Sequence, residues 1–548
     1  MRATSRALSW AAAVIIGGGM LAGLEAGAAV PSPTPAPSPA PQASPTPSIG
    51  QIYVREYRVQ GAHHLDSLTV GQAVYPYLGP GRTVQDIEQA GQALEKAYHD
   101  KGYQTVSVQV PQQNARSGVI VLQVIENKVG RLRVRGARYY LPSQIKAAVP
   151  GLAEGTVLNF NEVTKEIIAL NQLPGRRVTP ALKPGEIPGT VDIDLNVEDK
   201  LPLHGSLSLD NRYSAYTPEL RLNASLSYDN LWQLGHSAGV SFQTSPQDVS
   251  QVQNWSAYYI ARFANPDWPS LMIQAAKQNS SVSTLGDVDV VGRNESIGMR
   301  ALINLPGAPG FFQSLNLGLD YQHTYQRTTI PGATAITIEE VPLNFIPFVI
   351  SYSGTWVQPG AITEFNADLN FSVRGFGDTD ARFENSRYKA TGSYIYLRAD
   401  LAHTHDLPGG FQIYGKVQGQ IADQPLVSTE QYAVGGMSTV RGYTEAVQVG
   451  DNGVAAQLEL RSPSLLGLIK DKKDEWRVFA FADAGYVTLN DALPEQQSNF
   501  KLASYGFGTR LTLFDHINGE VDAAVPLTTQ APTNAHDVRV NFRIEAEF

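Results

Sequence analysis

The chain has no cysteine among its 548 residues. That excludes a disulfide framework, a thiolate zinc site and a cysteine nucleophile. It is also short of charge: Asp, Glu, Lys and Arg make up 17%, against about 25% in an average soluble protein. The balance is acidic, 42 Lys and Arg against 51 Asp and Glu for a net charge of −9, which speaks against a whole-protein nucleic-acid binder. A phosphate-cradling G-x-x-x-x-G-K-[ST] loop is missing, and Gly79-Pro80-Gly81-Arg82 reads as a turn. No nucleophile elbow and no catalytic set are read, so neither an enzyme nor a cofactor is expected. Hydrophobic residues are an ordinary 43%. Any membrane part must therefore carry its apolar residues alternately, as a barrel does.

The N-terminus reads as an export signal. Arg2 and Arg6 are basic, Leu8 to Leu24 carries no charge, and Ala26-Gly27-Ala28 offers small residues at a peptidase-like spacing. Residues 1–28 are expected to be a secretory signal. The alternative is an anchor helix, but a span needs about 20 strongly apolar residues, and Gly17, Gly18 and Gly19 dilute this stretch. Pro then recurs at 31, 33, 35, 37, 39, 41, 45 and 47. Residues 29–50 read as an extended polyproline-type tether.

A repeated unit follows. Glu56-Tyr57-Arg58-Val59-Gln60-Gly61 is echoed by Arg131-Leu132-Arg133-Val134-Arg135-Gly136. In the first copy Val84, Ile87, Ala90, Leu94 and Tyr98 recur at helical spacing, and Lys101-Gly102 closes the helix. Val106, Val108 and Val110 then alternate, as do Val119, Val121 and Gln123. In the second copy Val163, Ile167 and Leu170 mark a helix, and Val191, Ile193, Leu195 and Val197 a strand. His63-His64 is expected to be exposed. The order strand, helix, helix, strand, strand occurs twice, over 51–126 and 127–199. After an export signal, this resembles the polypeptide-transport-associated (POTRA) domain. The resemblance implies a docking module whose open strand edge can be extended by a peptide; the plainer reading is a spacer.

From 200 to 548 helical periodicity gives way to alternation. Leu220, Leu222, Ala224, Leu226 and Tyr228 alternate with Arg221, Asn223, Ser225, Ser227 and Asp229. Val538, Val540, Phe542, Ile544, Ala546 and Phe548 alternate with Arg539, Asn541, Arg543, Glu545 and Glu547. A soluble sandwich alternates too. Lipid, however, cannot satisfy open backbone groups, so a membrane sheet must close. At about 20–24 residues per strand and loop, and with an even number preferred, about 16 strands are expected. The fold class is therefore a transmembrane β-barrel of about 16 antiparallel strands preceded by two small α/β POTRA domains. Tyr228, Trp232 and Trp268 suit an interfacial girdle.

Two motifs sharpen the reading. One is Val440-Arg441-Gly442-Tyr443 after Gly435-Gly436-Met437, and the other is Phe481-Ala482-Asp483-Ala484-Gly485. They resemble the VRGY and FxDxG motifs of the outer-membrane assembly and secretion barrels. The resemblance implies that VRGY lies at the tip of the sixth extracellular loop, folded back into the barrel, and that FxDxG lies on a lumen-facing strand. The residue types suit that arrangement. Arg441 offers a planar fork that Asp483 can accept twice, and Gly442 permits a tight turn. Gly485 leaves room for the loop. Val373-Arg374-Gly375-Phe376 matches loosely but lacks the glycine lead-in and the downstream aspartate, so it reads as a strand end. His403 and His405 share a strand face without a third metal ligand, so no metal is expected.

Two POTRA units and a barrel of this size resemble the two-partner secretion outer-membrane transporters (TpsB type, ShlB/FhaC/HecB-like). Asp229-Asn230-Leu231-Trp232 with Leu234-Gly235 resembles that family's first hairpin, and Leu458-Glu459-Leu460-Arg461-Ser462-Pro463 the strand after the anchored loop. The resemblance implies an outer-membrane location with periplasmic POTRA domains. It implies a secreted exoprotein partner of adhesin or cytolysin type, insertion by the barrel assembly machinery with Phe548 as C-terminal signal, and contact with outer-membrane lipid. Many relatives carry a pore-plugging helix where this chain has Pro31 to Pro47, so closure is expected to rest on the anchored loop. The alternative function is an outer-membrane insertase of the same superfamily; a passive porin and an enzyme stand further off.

Overall fold

Residues 52–548 of the computed structural model are described, except 172, 174, 264–267, 279–281, 284–289, 292, 326, 331–335, 340–341, 469–473 and 495. The signal (1–28) and tether (29–50), and with them the question of a plug helix, lie outside the described residues. The remainder divides into two units that meet at Lys200 and Leu201.

The N-terminal unit repeats one plan. In its first half, strand Glu56–Gln60 pairs parallel with Val119–Glu126, which pairs antiparallel with Val106–Gln109. Helix Val84–Asp100 opens on a reciprocal Thr83–Asp86 capping box and buries Ile87, Ala90, Leu94 and Tyr98 on one face. In the second half Lys128–Arg135 pairs parallel with Thr190–Asp199, which pairs antiparallel with Arg176–Pro184. Helix Phe160–Leu170 buries Val163 and Leu170.

The repeat extends to local devices. Each opening strand ends in a glycine at positive φ, Gly61 (+81°) and Gly136 (+85°); a Cβ there would lie 2.5 Å from the Val124 carbonyl oxygen and 2.4 Å from that of Val197. Only glycine permits both the backbone angle and the approach. A carboxylate at the far strand's end then caps the turn. Glu126 accepts from the His63 and His64 amides at 2.8 and 3.1 Å, and Asp199 from those of Arg138 and Tyr139, both at 2.8 Å. Beyond this cap, His64 Nδ1 lies 2.7 Å from Glu126, and the Tyr98 hydroxyl donates to it at 2.9 Å.

Two local expectations need correction. Gly79–Arg82 is a short strand paired with Ile52–Val54, not a turn; four residues holding two glycines and a proline carry no alternation to announce it. On Val119–Glu126, where the alternation named is that of Val119, Val121 and Gln123, the buried residues are Ile120, Leu122 and Val124 of the other parity. Apolar residues occupy both parities there, so periodicity could not choose between faces.

The second unit is a closed antiparallel barrel of 16 strands, numbered here within the barrel. Its first half is β1 (Leu203–Asp210), β2 (Arg221–Leu231), β3 (His236–Thr244), β4 (Gln253–Ala261), β5 (Ser270–Gln278), β6 (Arg293–Ala308), β7 (Phe311–Tyr325) and β8 (Leu343–Gln358). Its second half is β9 (Ala361–Gly377), β10 (Ile395–Asp406), β11 (Gln412–Ala422), β12 (Asn452–Arg461), β13 (Glu475–Thr488), β14 (Asn499–Leu513), β15 (Ile517–Pro526) and β16 (Arg539–Glu547). β16 closes onto β1 with Arg543 opposite Asp210 and Glu547 opposite Ser206.

The usual inside–outside rule is inverted. Ile297 (61%) and Phe507 (69%) are exposed, whereas Asp210, Gln243, Asn254, Asp483 and Asn541 are buried. Alternation thus gives an apolar exterior for lipid and a polar lumen. Turns such as 309–310 and 359–360 lie at the end where the barrel strands begin and finish, and the longest connections, 378–394 and 423–451 among them, lie at the other. In outer-membrane barrels the short turns are periplasmic and the long loops extracellular. Trp232 and Trp268 sit at short connections and are exposed, Trp268 edge-on to Phe263 at 5.7 Å. Asp229-Asn230-Leu231 ends β2, which pairs with both β1 and β3, and Trp232 to Gly235 form the turn into β3.

Burial raises the Glu126 carboxyl, but the hydrogen bonds from His63, His64 and Tyr98 outweigh it and hold the group below its ordinary value. The ionised cap therefore stabilises the N-terminal unit above the unfolded-state value of about 4.3, and that contribution is lost as pH falls through the depressed folded value. Glu126→Ala should cost that unit about 1–3 kcal/mol at pH 7 by stranding its donors. It should also flatten the unit's acid dependence; thermal unfolding of both proteins between pH 7 and 3 measures both effects.

Candidate functional site

The long connection between β11 and β12, residues 423–451, is the sixth on the extracellular side. It carries Val440-Arg441-Gly442-Tyr443. Val440 and Tyr443 are fully buried and Arg441 is 2% exposed, so the loop tip lies within protein and not in solvent. Three glycines at positive φ shape it: Gly435 (+112°), Gly436 (+98°) and Gly442 (+92°).

Arg441 and Asp483 meet as a fork. Arg441 Nε and Nη2 each donate to a different Asp483 oxygen at 2.7 Å, and the Arg441 amide adds a third bond at 3.1 Å. The guanidinium lies over the Phe481 ring, 3.6 Å from its centroid, a cation–π contact strengthened by desolvation. Strand parity explains the convergence. On β13, Phe479, Phe481 and Asp483 are buried, while Val478 and Tyr486 face outward. At Gly485 a Cβ would lie 2.6 Å from Val434 and 2.8 Å from Val440, so the missing side chain is the loop's space. Gly442 runs close to β15, where its Cβ would meet Ala524 at 3.2 Å. The Tyr443 hydroxyl donates to the Thr528 carbonyl at 2.8 Å and accepts from the Thr528 amide at 3.2 Å. Phe548, the remaining expected site residue, lies at the β1–β16 junction. Its amide donates to the Gly205 carbonyl at 3.0 Å, and its ring occupies the space a Gly205 Cβ would need.

The fork is one end of a larger network. Arg441 Nη1 donates to Glu459 on β12 at 2.6 Å. Glu459 also accepts from Arg510 on β14 at 2.8 and 3.1 Å and from Arg461 at 2.8 Å. Arg510 continues to Glu520 on β15 at 2.8 Å. Three guanidiniums thus face three carboxylates across four adjacent strands. A second contact holds the loop further along: Glu445 accepts from Arg212, in the loop after β1, at 3.2 Å and from the Met437 amide at 3.2 Å. Sequence reading missed Glu459, Arg510, Glu445 and Arg212. The inward parity of Glu459 and Arg461 within Leu458-Glu459-Leu460-Arg461 was the available signal.

Other readings resolve simply. Val373-Arg374-Gly375-Phe376 ends β9 and is exposed. His403 and His405 stack at 5.8 Å on the barrel exterior, and among the described residues no group of three metal-ligating side chains occurs. Gly235-His236-Ser237-Ala238-Gly239 does match G-x-S-x-G in letters, against the expectation that no such elbow is present. It runs along extended β3, with no strand-to-helix turn. Ser237 accepts from Arg262 at 2.8 Å, while His236 contacts Tyr259 and the Arg262 carbonyl, so the adjacent histidine does not serve the serine.

A closed barrel, apolar outside and polar within, holding an arginine-anchored loop in its lumen, defines an outer-membrane pore protein. The chain belongs to the haemolysin secretion/activation protein family ShlB/FhaC/HecB, whose model matches residues 189–511. A ShlB-type POTRA model matches residues 52–127. The outer membrane transporter CdiB of Dickeya dadantii (strain 3937) is 25% identical over 513 residues, covering 89% of this chain and 84% of that protein. The heme/hemopexin transporter protein HuxB of Haemophilus influenzae (strain 86-028NP) is 20% identical over 403 residues, 70% of this chain and 67% of that protein. The solved structure of CdiB from Escherichia coli superposes with a TM-score of 0.64 at 19% identity, covering 93% of each chain. The protein is an outer-membrane secretion transporter with its POTRA domains in the periplasm.

Gly485→Val should push Val440 and Val434 off β13 while leaving the barrel closed. Limited trypsin digestion should then cut at Arg441, which is protected in the parent protein, with the heat-modifiable barrel band unchanged.

Proposed function

We propose that the chain exports an unfolded partner exoprotein, of adhesin or cytolysin type, through its own barrel. In this reading residues 1–28 direct export and are removed, 29–50 tether, 51–126 and 127–199 are two POTRA domains that receive the cargo by strand addition, and 200–548 is the pore. The barrel assembly machinery inserts it with Phe548 as the signal, outer-membrane lipid surrounds it, and it performs no catalysis. The Arg441–Asp483 fork at 2.7 Å carries the proposal: Val440, Arg441, Gly442 and Tyr443 on the loop, with Phe481, Asp483 and Gly485 on the wall, form a resting anchor that shifts to admit cargo. Folding of the cargo outside supplies the bias, since the chain has no nucleotide loop.

A second reading, an insertase working at the seam, draws on the β1–β16 junction. Its strand register runs from Arg543–Asp210 to Glu547–Ser206, the shortest in the barrel among the described residues, with backbone bonds between Gly205 and Phe548 beyond it. Cargo specificity separates the two: loss of one exoprotein favours export, while general damage to outer-membrane barrels favours insertion.

Breaking one member of a buried pair costs about 3–5 kcal/mol. Arg441→Ala and Asp483→Ala should each leave the loop without its seat on the wall and lower export at least tenfold while the barrel still inserts; cargo in the medium, measured against barrel in the membrane, tests this. Undiminished export by both variants would refute the anchor. Deleting 51–199 should abolish export yet leave membrane conductance.

A further inference from the structure

The tip of the sixth loop is anchored in the lumen, but a loop of this length also has to be fixed at its roots. Asp451, its last residue before β12, is fully buried and ion-paired with Arg387 at 3.1 Å. One carboxylate oxygen accepts from the Leu426 amide at 2.9 Å and from Gln431 Nε2 at 3.0 Å. The other accepts from the Asn490 amide at 2.7 Å as well as from Arg387. Four donors fill the acceptor capacity of a carboxylate. They come from three different loops: Leu426 and Gln431 from the opposite root of the sixth, Arg387 from the fifth (378–394), and Asn490 from the seventh (489–498).

The surroundings make this a strap. The fifth loop leaves β9 and returns on β10, yet its Arg387 and Lys389 reach the seventh loop between β13 and β14, Lys389 meeting Asp491 at 2.7 Å. It therefore crosses the ends of β11 and β12, where the sixth loop begins and ends. Its short helix Asp380–Ser386 buries Phe383 in a cluster with Leu343, Phe345, Tyr394, Leu426 and Val427. Asn490 Nδ2 adds bonds to the carbonyls of Ala422 and Gln424 at 3.3 and 3.1 Å. Strap, roots and seventh loop all meet at one carboxylate.

We infer that Asp451 is a positioning residue for transport: a second latch that holds the sixth loop's roots beneath a strap formed by the fifth loop, and that must release, together with the Arg441 fork, before the pore opens. This rests on the export reading, because it assigns a resting constraint to the same loop. Asp451→Asn keeps the shape and removes the charge that holds Arg387. It should raise spontaneous opening in planar bilayers about tenfold or more, with the conductance of each opening and the heat-modifiable barrel band unchanged. A purely structural role would alter the band and leave the opening frequency alone.

The strap itself can be tested because the chain has no cysteine, so an introduced pair is unique. Lys389→Cys with Asp491→Cys, joined by a short bis-maleimide from outside the cell, should abolish export and suppress opening; the unjoined pair should behave like the parent. An Asp451→Asn pore as quiet as the parent, or joined protein that exports at the parent rate, overturns the inference. Opening is read without cargo, so that arm fails or succeeds separately from the export reading.

Discussion

A guanidinium 2% exposed inside a membrane pore is the constraint around which the barrel is organised. Arg441 cannot be deprotonated, and stripping it of water without compensation would cost several kcal/mol. The structure compensates it locally, with two Asp483 oxygens, one Glu459 oxygen and the face of Phe481. Each partner is delivered by strand parity. Asp483 and Phe481 share the inward parity of β13, and Glu459 lies opposite Phe481 on β12. A slip of one residue in the β12–β13 register would turn Glu459 or its facing residue toward lipid. Pore geometry and barrel register are thus one constraint.

The loop's path follows from what the wall omits as much as from what it offers. Gly485 and Gly442 are adjacent surfaces of one fit: the first clears β13 for Val440, the second lets the chain turn against Ala524. Tyr443 then spans to Thr528. Anchors on β12, β13, the eighth loop and, through Arg212, the first loop hold the tip along one arc of the wall.

Much of this was legible in the sequence. The paired openings at Glu56 and Arg131 led to two α/β units, and alternation from Leu220 and toward Phe548 led to strands whose closure lipid requires. The motif pair directed attention to Arg441 and Asp483, which the structure brings together. What escaped reading was long-range. Glu459 meets Arg510 across 51 positions, and Arg387 meets Asp451 across 64; neither separation leaves a local period. Gly79–Arg82 escaped because pairing, not propensity, makes it a strand. The face of Val119–Glu126 escaped because both of its faces are apolar. His63-His64, read as merely exposed, supplies the amides that Glu126 caps, and only the carboxylate 62 and 63 positions away reveals it.

The charge network also sets what release of so strong an anchor would cost. If Arg441 leaves, Glu459 keeps Arg510 and Arg461, so it is not stranded. Only Asp483 loses its partner, and departure of the loop admits water to that wall, which lowers the cost of an exposed carboxylate. A lone Arg–Asp pair with Glu459 unshared would leave two uncompensated acids behind and a correspondingly higher barrier. Sharing Glu459 among three guanidiniums therefore confines the cost of release to a single pair. On the proposed export reading, the resting loop stays held at thermal energy, yet a bound cargo segment would displace it with binding energy of ordinary size.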